Sequence, residues 1–289
     1  MDRAAPPGSP GRALLPARDD LEPLPAAPSR WRLASRYLYP AGGLALALLL
    51  WELLVRLLKV PGYLLPPPSV IVGTAFTAHQ ELLGHSWVTT YETLLGFALS
   101  VLVGIPLAIA IVSWEPLERA TYPLLVAAQT VPKIAIAPLL VVWLGFGVFP
   151  KVIVVLLIAF FPVVINAVVG LRSVEPDMIQ LARILGFGRR ALFWKIVLPH
   201  ALPYIFAGLK VAMTLAIIGA VVAEFVGADA GLGYLLVASA ARLNTLLMFA
   251  DLLYLTVLGM LFYALVELAE RLILPWRVGS QVTLAGAAA

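Results

Sequence analysis

The chain alternates long apolar blocks with short polar segments. Six blocks are built almost entirely of apolar side chains, and each reaches about 20 residues, the length that crosses a hydrocarbon core as a helix. This pattern predicts an all-α integral membrane protein with six transmembrane helices. The predicted spans cover residues 37–58, 93–113, 122–144, 151–171, 204–225 and 246–273.

Three polar residues within these blocks are candidates for the pore or its gate. Lys133 lies between Pro132 and Pro138, where it either faces a polar cavity or extends its ammonium group to the interface. Asn166 either hydrogen-bonds between helices or lines the pore, with helix packing favoured. Glu224 marks an external gate, a docking surface or simply the interface, and the gate region is favoured.

The polar segments between the blocks carry further local signals. Residues 70–91 predict an amphipathic helix near the membrane surface. His79 and His85, six residues apart, do not share a helix face, so they predict solvated interfacial side chains rather than metal ligands. Glu52 and Arg56 do share a face and predict an ion pair. Gly231 and its neighbours predict a tight or re-entrant turn after the fifth block.

Composition supports a membrane protein and excludes other classes. Hydrophobic residues make up 62% and charged residues 12% of the 289 residues, whereas a soluble domain has about 25% charged residues. The chain has no cysteine, so it contains no disulfide. The net charge of +4 is typical of basic cytoplasmic loops, and no basic and aromatic patch indicates nucleic-acid binding. Neither a metal-spaced cluster nor a catalytic motif such as G-x-S-x-G or H-E-x-x-H is present.

Charge and composition also predict orientation and domain boundaries. An even number of spans places both termini on one side, together with residues 114–121 and 172–203, which hold most of the Lys and Arg residues. The positive-inside rule then predicts cytoplasmic termini. The predicted organisation is a disordered tail over 1–30, a membrane domain over 31–277 and a C-terminal tail over 278–289.

The longest polar interruption, residues 172–203, predicts two short helices over 177–185 and 190–197. Glycines end the first helix, and Pro199 and Pro203 are expected to turn the chain back to the membrane. The first helix presents an apolar knob that suits a groove in another protein. The residues of this knob are Leu181, Ala182, Ile184 and Leu185.

The loop resembles the conserved cytoplasmic loop of bacterial ABC-importer permeases. L-A-R-I-L-G at 181–186 and I-V-L-P at 196–199 carry the resemblance, and the family's E-A-A positions read Gln180-Leu181-Ala182. If the family's glutamate makes a polar contact with the ATPase, Gln180 supplies only a neutral hydrogen bond. The resemblance assigns ATPase coupling to Gln180, Leu181, Ala182, Arg183, Leu185, Gly186 and Pro199.

Other stretches narrow the resemblance to the nitrate, sulfonate and taurine group of these permeases. They are L-P-P-P-S-V at 65–70, V-P-K-I-A-I-A-P-L-L at 131–140, W-L-G-F-G at 143–147 and E-F-V-G-A-D-A-G-L-G-Y-L at 224–235. Within that group, residues 159–166 and 219–229 look like permeases for thiamine-pyrimidine precursors or riboflavin.

The family implies a type I permease fold in the bacterial inner membrane and a division of labour between chains. A cytoplasmic ATPase dimer hydrolyses ATP, an extracytoplasmic binding protein delivers the solute, and two permeases, expected to be a homodimer, surround the pore within the lipid bilayer. This chain has no G-x-x-x-x-G-K-[ST] loop, so it is expected to be a transport subunit without enzymatic activity or a cofactor.

Two rival interpretations remain open from the sequence. A secondary transporter or channel working without ATP would be expected to contain internal repeats, and no convincing similarity joins the first three spans to the last three. An intramembrane enzyme would need a catalytic motif.

Overall fold

The computed structural model describes residues 30–275, with side chains from residue 38 onward, and within that range all regular structure is helical. The predicted tails lie outside the described residues, except for Arg30 at the start of the first helix. A 3-10 turn, Lys133–Ile136, precedes α5, and a π turn, Phe193–Val197, joins α8 to α9. The α-helices are α1 (Arg30–Leu57), α2 (Pro68–Thr77), α3 (His79–Ser113), α4 (Glu115–Gln129), α5 (Ala137–Leu144), α6 (Val148–Arg172), α7 (Pro176–Ile184), α8 (Arg189–Leu192), α9 (Leu198–Gly227), α10 (Leu232–Ala241) and α11 (Thr245–Ile273).

Five helical stretches in the described range are long and apolar enough to cross a membrane. The third predicted span is different, because α4 and the stretch Lys133–Leu144 meet at an angle of 84°. Pro132 cannot donate a backbone hydrogen bond, so the helix breaks near it. Counted as one crossing, this bent pair brings the total to the predicted six. The five continuous stretches are Leu38–Leu57, His79–Ser113, Val148–Arg172, Arg189–Gly227 and Thr245–Ile273.

The core is built around α6, which packs against both α3 and α9. Glycines permit these helices to approach closely. A Cβ atom built at Gly96 of α3 would overlap Val155 of α6, and one built at Gly208 of α9 would lie 2.5 Å from the Cβ of Asn166. In a lipid environment, small residues at such contacts let two backbones pack at short range, where dispersion and hydrogen bonding hold helices together.

The order of these contacts fixes the helix directions. Gly96 and Gly104 of α3 approach Val155 and Val163 of α6 in the same order, so these helices are parallel. The chain then returns through α7, and α9 runs antiparallel to α6. The bundle therefore has two ends. The loop end carries residues 172–203, and the far end carries the N-termini of α3, α6 and α11 together with the C-terminus of α9.

The segment predicted as one surface helix over residues 70–91 is divided. α2 packs on α11, and α3 begins at His79 and continues to Ser113 as one 35-residue helix. The prediction of a surface helix is therefore wrong for residues 79–91, which belong to the second span. Polar residues there suggested contact with water, but Thr89 and Glu92 are fully buried and make contacts inside the bundle.

The prediction that Pro199 and Pro203 turn the chain is also wrong. Helical structure runs from Arg189 to Gly227, through α8, the π turn and α9, and the chain does not reverse direction within it. Pro199 lies in the first turn of α9, where a missing N–H is tolerated. The turn between α6 and α9 therefore comes earlier, within residues 173–188.

α1 is joined to α2 by a polar network at the far end. Arg56 Nε donates to Glu52 Oε1 over 2.6 Å, which confirms the predicted ion pair. The other carboxylate oxygen, Glu52 Oε2, accepts the backbone N–H of Ser69 over 3.0 Å. Most of the apolar side chains over Leu38–Leu57 of α1 are exposed on this chain, so they face lipid or another subunit.

We expect Gly96→Ala to destabilise the folded permease core. Overpacking against Val155 costs about 1–3 kcal/mol, which outweighs the helix-propensity gain of about 1 kcal/mol from replacing glycine. Thermal unfolding of the purified protein in detergent measures the effect. Gly84→Ala is the matched control in the same helix, because no atom lies within 4 Å of a Cβ built there. Equal melting temperatures for the two variants would contradict the packing argument.

Candidate functional site

At the loop end, α7 terminates in a Schellman-type cap. Gly186 N–H donates to the carbonyl of Arg183 and Phe187 N–H donates to the carbonyl of Ala182, each over 3.0 Å. Gly186 has a φ of +84°, a conformation that glycine adopts far more readily than other residues. The glycine predicted to end this helix therefore does so, and the cap makes α7 a compact unit.

The outer face of α7 is apolar and exposed. Ile184 is 82% exposed, Leu185 67% and Leu181 57%. Ala182, which the sequence placed in the same knob, is only 3% exposed, so that part of the prediction is wrong. The exposed set, here called the α7 patch, is Met178, Leu181, Ile184 and Leu185.

The remaining coupling candidates surround this patch. Gln180, Arg183 and Gly186 are exposed, whereas Pro199 is half-buried in α9. Lys195 places its ammonium group 5.9 Å from the ring centroid of Phe187. These positions bring Gln180 through Gly186 together on one short element and leave Pro199 on the helix that follows.

Both flanks of the loop are fixed to the bundle. Arg172, the last residue of α6, forms an ion pair with Glu118 of α4. On the other flank, Phe193 and Val197 of the π turn pack on a buried cluster that includes Leu171 and Ala201. The segments on either side of α7 are therefore anchored to α4, α6 and α9.

At the far end, Glu224 is the centre of a second polar site. Its side chain is 1% exposed. Thr89 Oγ1 of α3 donates to Glu224 Oε1 over 2.7 Å, and Gly233 N–H donates to Glu224 Oε2 over 2.5 Å. Thr89 Oγ1 also accepts the N–H of Leu232 over 2.8 Å. The carboxylate thus joins α3, α9 and the start of α10.

His85 belongs to the same site. Its Nδ1 accepts the N–H of Gly231 over 3.0 Å, and its ring lies 5.9 Å from that of Tyr234. The prediction of a solvated interfacial histidine is therefore wrong for His85, because the ring is half-buried between α3 and α10. His79 is exposed, as expected, and its Nδ1 lies 2.8 Å from the carbonyl oxygen of Phe76.

Further buried ionisable groups lie beside Glu224. Glu92 of α3 and Lys151 of α6 form an ion pair, with side chains 0% and 6% exposed. Asp251 of α11 is fully buried and has no hydrogen-bond partner among residues 30–275. No group of three or more His, Asp or Glu side chains in the described range is placed to hold a metal ion.

The other two pore candidates lie elsewhere. Lys133 is half-buried at the break between α4 and α5, where its Nζ donates to the carbonyl of Gln129 over 3.2 Å and lies 4.5 Å from the ring centroid of Phe161. Asn166 donates to the carbonyl of Pro162 in its own helix over 2.8 Å and packs against Gly208 of α9. Neither contacts the Glu224 site.

Sequence reasoning overlooked Thr89, Glu92, Lys151 and Asp251. A usable signal was present, because ionisable residues inside apolar blocks are costly and commonly have a partner or a function. Lys151 begins the predicted span 151–171, and Glu92 lies between the predicted surface helix 70–91 and the span 93–113, so their positions in the sequence do not indicate burial. The pairing of Glu92 with Lys151 depends on the register of two helices that are distant in sequence.

A family model described as "Binding-protein-dependent transport system inner membrane component" matches residues 96–275, more than half of the chain. The chain belongs to this family. It is therefore a permease subunit of the ABC importers, and ATP hydrolysis in such a transporter is carried by a separate subunit.

Curated relatives cover nearly the whole permease. This permease is 38% identical over 231 residues to the formylaminopyrimidine transport permease protein ThiX of Halalkalibacterium halodurans, and the match covers 80% of this chain and 92% of the relative. It is 35% identical over 260 residues to the riboflavin transport system permease protein RibX of Chloroflexus aurantiacus, with coverages of 88% and 97%. A sulfonate permease protein, SsuC of Bacillus subtilis, is described as putative and is 34% identical over 235 residues, with coverages of 81% and 85%.

A solved structure confirms the fold. A chain of the MetNI methionine ABC transporter, in an inward-facing conformation, matches the permease with a TM-score of 0.60 at 18% identity. The match covers 68% of the permease and 98% of that chain. The type I importer fold and the multi-pass placement of this family in the inner membrane therefore agree with the sequence prediction.

We expect Glu92→Gln to destabilise the permease by about 3–5 kcal/mol, because it leaves the buried Lys151 ammonium without its anionic partner. The double variant Glu92→Gln with Lys151→Met should lose less stability than Glu92→Gln alone. Thermal unfolding in detergent measures all three proteins. Glu267→Gln is the control, because its ion pair with Arg271 is exposed and contributes about 0.3–0.5 kcal/mol. Additive losses in the double variant would contradict the pairing.

Proposed function

We propose that this permease forms the membrane pathway of an ATP-driven importer and is moved by a cytoplasmic ATPase dimer through residues 172–203. The observation that carries the proposal is the α7 patch. It is a short, capped, amphipathic helix with exposed leucine and isoleucine side chains at the loop end. Such a face suits a hydrophobic groove on a partner protein.

The flanks of the loop support a mechanical role. The loop lies between α6 and α9, the two helices that pack most extensively on each other. Arg172 and Glu118 extend the connection to α4, which leads to the break near Lys133. When the ATPases approach each other, the two α7 helices of a permease pair move together and carry these rigid helices with them.

The proposed orientation places the loop end and both termini in the cytoplasm. Exposed basic residues concentrate at the loop end. On the opposite side the sequence offered mainly Lys59, Lys151 and Arg242, and Lys151 is buried in an ion pair with Glu92. Because Lys151 is buried, the far end has fewer exposed basic residues than its sequence contains. The loop end therefore exceeds it more clearly in exposed basic residues, which is the difference that the positive-inside rule uses. The extracytoplasmic binding protein then docks at the far end.

The proposed substrate is a small polar or heteroaromatic solute. The relatives named for formylaminopyrimidine and riboflavin support a thiamine-pyrimidine precursor or a riboflavin-like molecule, and those named for sulfonates and taurine support the wider group that also includes nitrate. An apolar cleft of about 390 Å³ between α2 and α11 has no charged lining residue and does not suit a polar solute. The pathway is proposed to lie at the interface of a permease homodimer.

Lys133 is the proposed pathway residue on this chain. It lies at a helix break, and non-helical backbone at membrane depth is tolerated where it lines a cavity or is buried in protein. The residue is half-buried, and its Nζ donates to the carbonyl of Gln129. Asn166 packs against Gly208, a position that favours helix packing over pore lining. Glu224 is proposed as part of the external gate.

The coupling proposal is tested with Leu185→Asp in the α7 patch. A carboxylate in place of an anchor residue should weaken association with the partner ATPase by about 30-fold, the loss typical of a hot-spot side chain at the centre of an interface. The measurement is the amount of ATPase that co-purifies with the permease from detergent. Leu243→Asp is the control, because Leu243 is 86% exposed at the far end and should not affect this contact. Undiminished co-purification of Leu185→Asp would contradict the proposal.

Substrate identity is tested with the intact permease in liposomes, together with its ATPase and binding protein. The ligands are pyrimidine precursors, riboflavin, sulfonates, taurine and nitrate, and stimulation of ATP hydrolysis is measured for each. One stimulating ligand identifies the substrate. Stable association with the ATPase without stimulation by any ligand would reject the ligand set, and failure to bind the ATPase would favour a transporter working without ATP.

A further inference from the structure

α10 is a short helix that cannot cross the membrane. It has ten residues and is strongly apolar, so it extends about 15 Å, roughly half of a hydrocarbon core. The chain leaves α9 at Gly227, turns through 228–231, forms α10 and enters α11 at Thr245. We call residues 228–241 the α10 segment. It re-enters the bundle at the far end, between α3, α9 and α11.

The N-terminus of α10 is held by side chains from two other helices. The N–H groups of Gly231, Leu232 and Gly233 donate to His85, Thr89 and Glu224, over 3.0, 2.8 and 2.5 Å. The first backbone N–H groups of a helix have no partner within the helix, and an acidic side chain there is favourable. Here the cap is supplied by α3 and α9 instead of by neighbouring residues.

The start of α10 packs so closely against the residues of this cap that side chains at Gly231 and Gly233 would clash. Gly231 has a φ of +121°, and a Cβ built there would overlap the carboxyl group of Glu224. A Cβ built at Gly233 would lie 2.6 Å from the carbonyl oxygen of Val221. Because each of these contacts joins separate elements, a small displacement of α10 from α3 breaks several hydrogen bonds together.

A second buried carboxyl group lies on α11, one of the helices against which α10 packs. Asp251 of α11 is fully buried and makes no hydrogen bond to any described residue. α10 packs directly on this helix through Leu232 and Leu235, which share a buried cluster with Leu247. A buried carboxyl group without a donor is costly, so a second position that supplies Asp251 with a donor is favourable for that residue.

We propose that Glu224 and Thr89 form a latch that holds the α10 segment closed at the far end, and that Asp251 accepts hydrogen bonds from the segment when it opens. Glu224 and Thr89 are positioning residues for the gate in this scheme. The proposal rests on the proposed function only in assigning the far end to the extracytoplasmic side and the opening to the transport cycle.

The first test uses the permease alone. Because the chain has no cysteine, Tyr234→Cys provides a single reporter on α10 next to His85. The rate of its labelling by a membrane-impermeant maleimide is measured in sealed vesicles with the far end outside. Thr89→Val removes the hydroxyl that contacts both Glu224 and Leu232, so labelling should accelerate about tenfold or more, in line with the loss of a hydrogen bond to a charged group.

Thr89→Ser is the matched control, because it retains the hydroxyl group and should leave the labelling rate close to that of the reporter protein. Glu224→Gln should accelerate labelling as Thr89→Val does. If Glu224→Gln fails to insert, the pair of Thr89 variants still decides the question. Equal rates for Thr89→Val and Thr89→Ser would overturn the latch. This result does not depend on whether the permease binds an ATPase.

The second test concerns Asp251 and uses the permease with its ATPase and binding protein. Addition of a non-hydrolysable ATP analogue should increase labelling of the Tyr234→Cys reporter about tenfold. The reason is that opening breaks the hydrogen bonds to Glu224, the same loss that is expected for Thr89→Val. Asp251→Val should abolish this increase while the resting rate stays unchanged. If the ATP analogue still accelerates labelling in Asp251→Val, the proposed role of Asp251 is overturned. A raised labelling rate in Asp251→Val without the analogue would also overturn it, because it indicates a purely structural function or a water-filled site.

Discussion

The close approach of α3, α6 and α9 is the constraint on which the rest of the structure depends. In lipid, apolar side chains gain little by leaving their surroundings, so helices associate through tight backbone packing and polar contacts. Gly96, Gly104 and Gly208 permit that approach, and side chains in their places would separate the helices. Both functional ends are built on this triple contact. The loop end continues α6 and α9, and the far-end polar site is formed by residues of α3, α6 and α9 that this packing brings together.

Polar groups are distributed according to the same physical rule. In an apolar interior each buried polar group needs a partner, and the chain supplies partners from distant segments: Lys151 for Glu92, and Thr89 for Glu224. At the loop end the polar groups remain exposed, and the apolar side chains of the α7 patch are exposed beside them. At the far end Glu224, Glu92 and Lys151 are paired within the chain, whereas Asp251 has no hydrogen-bond partner among the described residues. The loop end instead presents exposed apolar side chains that suit a partner protein.

The spans could be predicted from sequence because a run of apolar residues long enough to cross a bilayer has few alternatives. The capped helix at 176–186 could be predicted because glycine adopts a positive φ readily, and Gly186 does so. Two errors have different causes. Amphipathicity over 79–91 was taken for contact with water, but Thr89 and Glu92 face a protein partner. The helix through Pro199 was missed because a proline in a first helical turn resembles a breaker in sequence. Pairings such as Glu92 with Lys151 depend on helix register, which local patterns do not contain.

The two ends are connected by a single continuous element. Helical structure from Arg189 to Gly227 comprises 39 residues and extends roughly 58 Å, almost twice the thickness of a hydrocarbon core. Its first residues flank the α7 patch, and Glu224 lies near its last turn. The π turn at Phe193–Val197 is the irregular place along it, and such turns frequently occur at functional sites. A displacement at the loop therefore needs no chain of separate side-chain contacts to reach Glu224, because the same rigid helix carries both. This geometry makes α9 the physical link through which an ATPase at one end would release a latch at the other.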